Sequence, residues 1–272
     1  MARWLFLIAG VYLLYRWIKG KNSTKLNRED ALKSMSDKAP EILEPEVMVP
    51  CQYCNVHLPQ STAITFEQRF YCCEEHLHEL DIAGWIGFAN WRPSPNYDVR
   101  PENIQPDLVV IHHISLPPSE FKNKHSSHYI VDFFQNKLDP NVHPYFAEIA
   151  GQKVSSHFLI TRSGELIQFV STLNKAWHAG VSSFLGREKC NDFSIGIEFE
   201  GDGESAFEDA QYKTLTALVK RLSASYPNLQ FAGHSDIAPD RKTDPGPFFD
   251  WQKLKKETEI SPKNLPYGVT FR

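Results

Sequence analysis

The chain has 272 residues, 42% of them hydrophobic and 23% charged, which is close to globular averages and excludes wholesale disorder or a collagen-like polymer. Its 29 basic and 33 acidic side chains leave a net charge of −4, which argues against a generic nucleic-acid binder. A mean hydropathy of −0.39 excludes a polytopic membrane protein, and five clustered cysteines are too few for a disulfide scaffold.

Residues 4–18, WLFLIAGVYLLYRWI, form an apolar run interrupted only by Arg16. At 1.5 Å per residue the run reaches ~22 Å, short of a ~30 Å hydrocarbon core. Arg16 can snorkel, and Trp4, Tyr15 and Trp17 suit the interfacial belts, so residues 1–20 are expected to be a single-pass membrane anchor. A signal peptide fits less well, because no small-x-small cleavage site follows. An interfacial helix fits less well too, because the run has no broad polar face. Arg3 precedes the run, whereas Arg16, Lys19, Lys21, Lys25 and Arg28 end or follow it, so the positive-inside rule puts the rest of the chain in the cytoplasm.

Residues 21–48 read as a polar linker with one short helix around Arg28–Ser36. Residues 49–80 carry Cys51-x2-Cys54 and Cys72-x3-His76, two close ligand pairs separated by a loop. That spacing is what tetrahedral zinc requires, and about thirty residues bury too little surface to fold without a staple. Cys73 and His78 are alternative ligands, and a disulfide or free-thiol cluster is the plainer reading. The stretch resembles small bacterial zinc-finger modules that follow an N-terminal membrane helix, which implies a structural metal.

From residue 82 to residue 262 a larger domain is expected. Asp107–Ile114 is a β-branched run and predicts a strand; Val154–Thr161 and Glu165–Ser171 flank an Arg162-Ser163-Gly164 turn and predict a hairpin. Ser194–Glu200, SIGIEFE, alternates and predicts another strand. Tyr129–Leu138 and Glu208–Tyr226 predict helices, the second from Ala210, Leu215, Leu218, Val219 and Leu222 at helical spacing, with Pro227 ending it. Strands mixed with helices around one sheet give an α/β class.

Eight of the eleven histidines fall between His112 and His234. A catalytic zinc takes three protein ligands and keeps one position open, and His112, His234 and Asp244 supply two imidazoles and a carboxylate. Glu198, in the predicted strand Ser194–Glu200, is placed to act as a base, and Lys242 lies two residues from Asp244 as an oxyanion-stabilising cation. A lone histidine at a strand end is more often structural, so spacing alone leaves this assignment weak.

The segments HHISLPP, VSSHFLI, AWHAGVS, CNDFSIGIE and GHSDIAPDRKTDPGP resemble type 2 N-acetylmuramoyl-L-alanine amidases from about Gly84 to about Trp251. The resemblance implies a zinc amidase whose fold is a mixed β-sheet packed by helices, with His112, His234 and Asp244 as ligands, Glu198 as general base and Lys242 stabilising the transition state. The implied substrate is the muropeptide recycled from cell-wall turnover, cut between the lactyl group of 1,6-anhydro-N-acetylmuramic acid and L-alanine.

Some positions depart from the family pattern. His113 stands where the family carries Asn; Lys153 and Lys189 stand where it carries Arg near the substrate's carboxylates. Lysine keeps the charge but loses the bidentate fork, so substrate preference is the property these changes affect. Trp177 and His178 match a substrate-cleft motif, with core packing the plainer reading of Trp177. His157 points to core or cleft; His125, His128 and His143 read as surface residues, and Cys190 as an inert buried thiol. The alternatives to a cytoplasmic recycling enzyme are a periplasmic amidase acting on intact wall and a non-catalytic peptidoglycan-binding module. The second is disfavoured because the three ligands, the glutamate and the lysine occur together.

Overall fold

The computed structural model describes residues 12–19, 46–51, 54–66, 69–74, 76, 83–121 and 126–269. The linker expectation over residues 21–45 with its helix around Arg28–Ser36, His78 and His125 lie outside these residues. Contacts divide the chain into two units, 1–49 with 59–61, and 50–58 with 62–272. In the first unit residues 12–19 are helical, and the Gln60 N–H donates to the Val47 carbonyl at 2.9 Å. Tyr12, Leu13, Leu14, Tyr15, Trp17 and Ile18 are exposed on that helix. Among the described residues no helix is long and apolar enough to cross a membrane. The remainder of the apolar run, residues 4–11, is outside the described residues.

The second unit is built on a six-stranded mixed sheet. Its strands are β1 (Asn90–Trp91), β2 (Leu108–Ile114), β3 (Phe158–Ile160), β4 (Leu166–Gln168), β5 (Ser194–Glu200) and β6 (Gln230–Gly233). Their order across the sheet is β6-β2-β5-β3-β4-β1. β6, β2, β5 and β3 run parallel; β4 is antiparallel to β3, and β1 parallel to β4. The helices are α1 (Ser126–Phe134), α2 (Pro144–Ile149), α3 (Asp209–Ser225), α4 (His234–Ile237) and α5 (Trp251–Thr258).

Strand periodicity sorts the chemistry. Successive strand side chains point to opposite faces. Val109 and Ile111 on β2, Ile195, Ile197 and Phe199 on β5 and Phe231 on β6 join the core with Tyr212, Leu215, Leu218, Val219 and Leu222 of α3 and Leu254 of α5. The intervening residues, His112 on β2 and Ser194, Gly196 and Glu198 on β5, belong to the opposite face. Leu159 and Ile167 pack with Ile130, Phe133 and Phe134 of α1 and Phe146 of α2. The α3 capping box closes when the Glu208 N–H donates to Gln211 Oε1 at 3.0 Å. Gln211 Nε2 then donates to the carbonyls of Ile160 (3.1 Å) and Glu200 (3.2 Å), tying the helix to the ends of β3 and β5.

The strands of Leu108–Ile114 and Ser194–Glu200 and the long helix form where the patterns predict. The hairpin forms with shorter strands, because Val154–His157 pairs elsewhere: the His157 N–H donates to the Gly196 carbonyl at 3.2 Å. The expected Tyr129–Leu138 helix is corrected to Ser126–Phe134. Asn136 adopts a left-handed φ of 58°, and the Phe134 carbonyl accepts from Ser94 Oγ and Asn96 Nδ2 at 2.5 and 3.2 Å, which stops the helix there. His128 is exposed as expected, while His143 caps α2 by accepting the Tyr145 N–H at 3.2 Å.

Candidate active site

Three donor atoms converge where β2 and β6 end. His112 leaves β2 near its carboxyl end, and His234 follows immediately on β6 as the first residue of α4. Asp244 returns on the loop after α4, whose path is pinned by the Ser235 N–H donating to the Asp244 carbonyl at 2.8 Å. His112 Nδ1 is 2.9 Å from His234 Nδ1 and 2.9 Å from Asp244 Oδ2; His234 Nδ1 is 3.0 Å from the same oxygen. All three residues are buried.

This donor set suits zinc. Two neutral imidazoles and one carboxylate leave a fourth tetrahedral position open. Burial, then the neighbouring His234, pushes the His112 imidazolium down to about 4, so the ring is neutral at pH 7. Burial alone raises the Asp244 carboxyl, but hydrogen bonds and charge from His112 and His234 outweigh it and hold the group well below the usual carboxylate range.

The imidazole nitrogens turned away from this centre are also engaged. His234 Nε2 is 3.1 Å from the Ala179 carbonyl, which fixes Nε2 as the protonated nitrogen and leaves Nδ1 a lone pair. His112 Nε2 is 2.9 Å from His178 Nδ1, and His178 Nε2 is 3.0 Å from Ser194 Oγ. Asn191 Oδ1 accepts the backbone N–H groups of His178 (3.2 Å) and Ala179 (2.8 Å). One dipeptide, His178-Ala179, therefore orients both imidazoles. Gly196 leaves the room it needs, since a Cβ there would stand 2.6 Å from the His178 ring. The sequence motif marked His178 for the substrate cleft and did not show this clamp. Its one signal was the small residues Ser194 and Gly196 alternating with Glu198 on one strand face.

The three donors open into a cavity of about 400 Å³ whose wall includes Glu198, Lys242, His113, Trp177 and His178. Glu198 Oε2 is buried and has no hydrogen-bond partner among the described residues. Burial, then the charge of Asp244, raises the Glu198 carboxyl well above its ordinary value, with Lys242 opposing. Burial also lowers the His113 imidazolium. Trp177 Nε1 donates to Asp98 Oδ2 at 2.9 Å, so the ring forms part of the cavity wall while its polar edge is held outside. Lys153 and Lys189 are exposed and do not line this cavity, although Gln152 and Val154 on either side of Lys153 do.

His157 is a core residue. It accepts the Gly196 N–H on Nδ1 at 3.0 Å and meets the Asn174 carbonyl through Nε2 at 3.0 Å. Cys190 is buried and free. Away from the cleft, Cys51, Cys54, Cys72 and His76 form a second cluster of metal-binding atoms, all within 4.8 Å of one another.

The sequence profile described as N-acetylmuramoyl-L-alanine amidase matches residues 102–247. The chain is 51% identical over 184 residues to the 1,6-anhydro-N-acetylmuramyl-L-alanine amidase AmpD of Salmonella typhimurium, covering 67% of this chain and 96% of the relative. It is 52% identical over 174 residues to the corresponding protein of Escherichia coli, covering 63% and 93%. The crystal structure of a selenomethionine derivative of AmpD superposes with a TM-score of 0.62 at 50% identity, covering 65% of this chain and 98% of that one.

Proposed function

The chain belongs to the N-acetylmuramoyl-L-alanine amidase family, and from that premise we propose how its cleft performs the reaction. The protein is an amidase that hydrolyses the amide bond between the lactyl group of 1,6-anhydro-N-acetylmuramic acid and L-alanine, in muropeptides passing through peptidoglycan recycling. The observation that carries this reading is the meeting of His112, His234 and Asp244 in one cavity with Glu198.

His112 Nδ1, His234 Nδ1 and Asp244 Oδ2 would hold the catalytic zinc. When bound, that ion supplies Lewis acidity toward the scissile carbonyl and lowers the pKa of water at the site. Glu198 Oε2, unpartnered and of raised basicity, takes the proton of the attacking water and delivers it to the departing alanine nitrogen. Lys242 stands in the same wall and opposes the negative charge that develops on the carbonyl oxygen. Trp177 and His113 line the cleft against the substrate, and His178 holds His112. Lys153 and Lys189 would meet the substrate's carboxylates from outside the cavity. The cofactor reading comprises two zinc ions, this one and a structural one at Cys51, Cys54, Cys72 and His76.

The apolar run at residues 4–18 and its basic flank support an inner-membrane anchor with the catalytic unit facing the cytoplasm, where muropeptides are recycled. Deleting residues 1–20 is then expected to move the enzyme from the membrane to the soluble fraction. Undiminished membrane partitioning would end the anchor proposal.

The test of function is turnover by the full chain in detergent on anhydro-muropeptide against intact peptidoglycan, with zinc content measured alongside. Strong preference for the anhydro compound is expected. Equal or better activity on intact wall would replace the recycling assignment.

A further inference from the structure

The cluster at Cys51, Cys54, Cys72 and His76 has the geometry of a built metal site. Cys54 Sγ is 3.8 Å from Cys72 Sγ; His76 Nδ1 is 3.0 Å from Cys72 Sγ and 3.9 Å from Cys51 Sγ. Tetrahedral zinc with Zn–S bonds of ~2.3 Å requires S–S edges of ~3.8 Å. The first ligand pair sits on a tight knuckle. The Asn55 N–H donates to the Cys51 carbonyl at 2.9 Å, the Cys51 N–H donates to the Val56 carbonyl at 2.8 Å, and Asn55 takes a left-handed φ of 60°. The second pair follows directly on an antiparallel ribbon, Ile64–Phe66 against Arg69–Tyr71. None of the cysteines is in a disulfide, so no S–S bond competes for the sulfurs.

The surroundings of these ligands show what an ion there would stabilise. Cys51 and Tyr71 are both 0% exposed and belong to the same hydrophobic cluster as Trp85, Ile86, Ile197 and Phe199. Cys72, Leu58 and Ile64 pack on that cluster from outside. One ligand is thus a core residue of the catalytic unit, and a second leans on the core. We infer that metal at Cys51, Cys54, Cys72 and His76 is a staple of the catalytic unit itself, and not the private cofactor of a free-standing module. The inference rests on the two-ion reading above. The ligand-bearing segments, residues 50–58 and 62–76, carry too little apolar surface to hold themselves in place. The ion closes them into one body, and its binding free energy becomes folding free energy of whatever packs on that body. Here that includes the core face of β5, whose other face presents Glu198.

The experiment uses the full chain in detergent. Cobalt loading of the wild type should give a thiolate-to-cobalt charge-transfer band, and Cys54→Ser/His76→Ala should abolish the band and lower the metal content by one ion. The thermal midpoint of the catalytic unit, followed by tryptophan fluorescence, should fall by more than about 5 °C in that variant. A band-free wild type, or an unchanged midpoint in the variant, overturns the inference. Should the double variant not fold, Asp244→Ala answers the same question, because its catalytic centre is disabled. Its midpoint is expected to rise on adding zinc, and a zinc-independent midpoint refutes the staple. Turnover of anhydro-muropeptide by the wild type reads the amidase assignment separately. Its loss with a zinc-dependent midpoint intact would sink the function and leave the staple standing.

Discussion

Glu198 stands directly opposite His112 in the parallel register of β5 and β2, and both side chains line the same cavity. The sheet itself thereby sets the distance between the proposed base and the first zinc ligand. No loop has to be ordered to bring the two together, which is how a rigid scaffold pre-organises a site.

Glu198→Gln keeps the shape and removes the base. The expected outcome is a fall in kcat of roughly 10²–10⁴-fold with zinc at the His112 centre retained. Steady-state kinetics on anhydro-muropeptide with elemental analysis checks both halves. A near-normal kcat would take Glu198 out of the base role.

Asp244→Ala removes the carboxylate that contacts both imidazoles at 2.9 and 3.0 Å. The variant is expected to lose one zinc per chain and its activity with it. Unchanged zinc stoichiometry would break the ligand assignment.

The 2.9 Å contact of His178 Nδ1 with His112 Nε2 predicts that His178 acts through His112 and not on the substrate. His178→Ala is expected to weaken zinc affinity by about 10–100-fold, with kcat restored by excess zinc and KM little changed. Gly196→Ala should act in the same direction, since its methyl would intrude 2.6 Å from the His178 ring. A raised KM with unaltered zinc affinity would instead make His178 a substrate contact, as the sequence motif suggested.

His157 makes the fold acid-sensitive. Burial, then the charge of Arg100, lowers its pKa to about 3, against about 6.5 in the unfolded chain. Between those values the unfolded state binds a proton that the folded state refuses, so stability rises with pH and is lost as pH falls from about 6.5 toward 3. The slope from this one residue is at most about 1.4 kcal/mol per pH unit. Urea midpoints of His157→Gln should be lower than wild type at pH 7.5 yet flatter between pH 6.5 and 4.5. An equally steep profile would remove His157 as the source.

The sequence alone determined the parts whose information is local. A β-branched run marks β2, two-residue alternation marks β5, and helical spacing of Leu215, Leu218, Val219 and Leu222 marks α3. The string GHSDIAPDRKTDPG placed His234, Lys242 and Asp244 within one short segment, so part of the site was legible without any fold. Tertiary structure decided the rest. His112 lies 122 positions before His234, and only the strand order β6-β2-β5 brings the two imidazoles to contact and puts Glu198 on their side. The end of α1 was set by Ser94 and Asn96 reaching the Phe134 carbonyl from forty and thirty-eight residues away. The clamp at His178-Ala179 and the burial of Cys51 in the catalytic core likewise depend on partners distant in sequence. Periodicity records which face of an element is apolar. It does not record which other element will cover that face, because pairing is chosen by the packing of the whole chain at once.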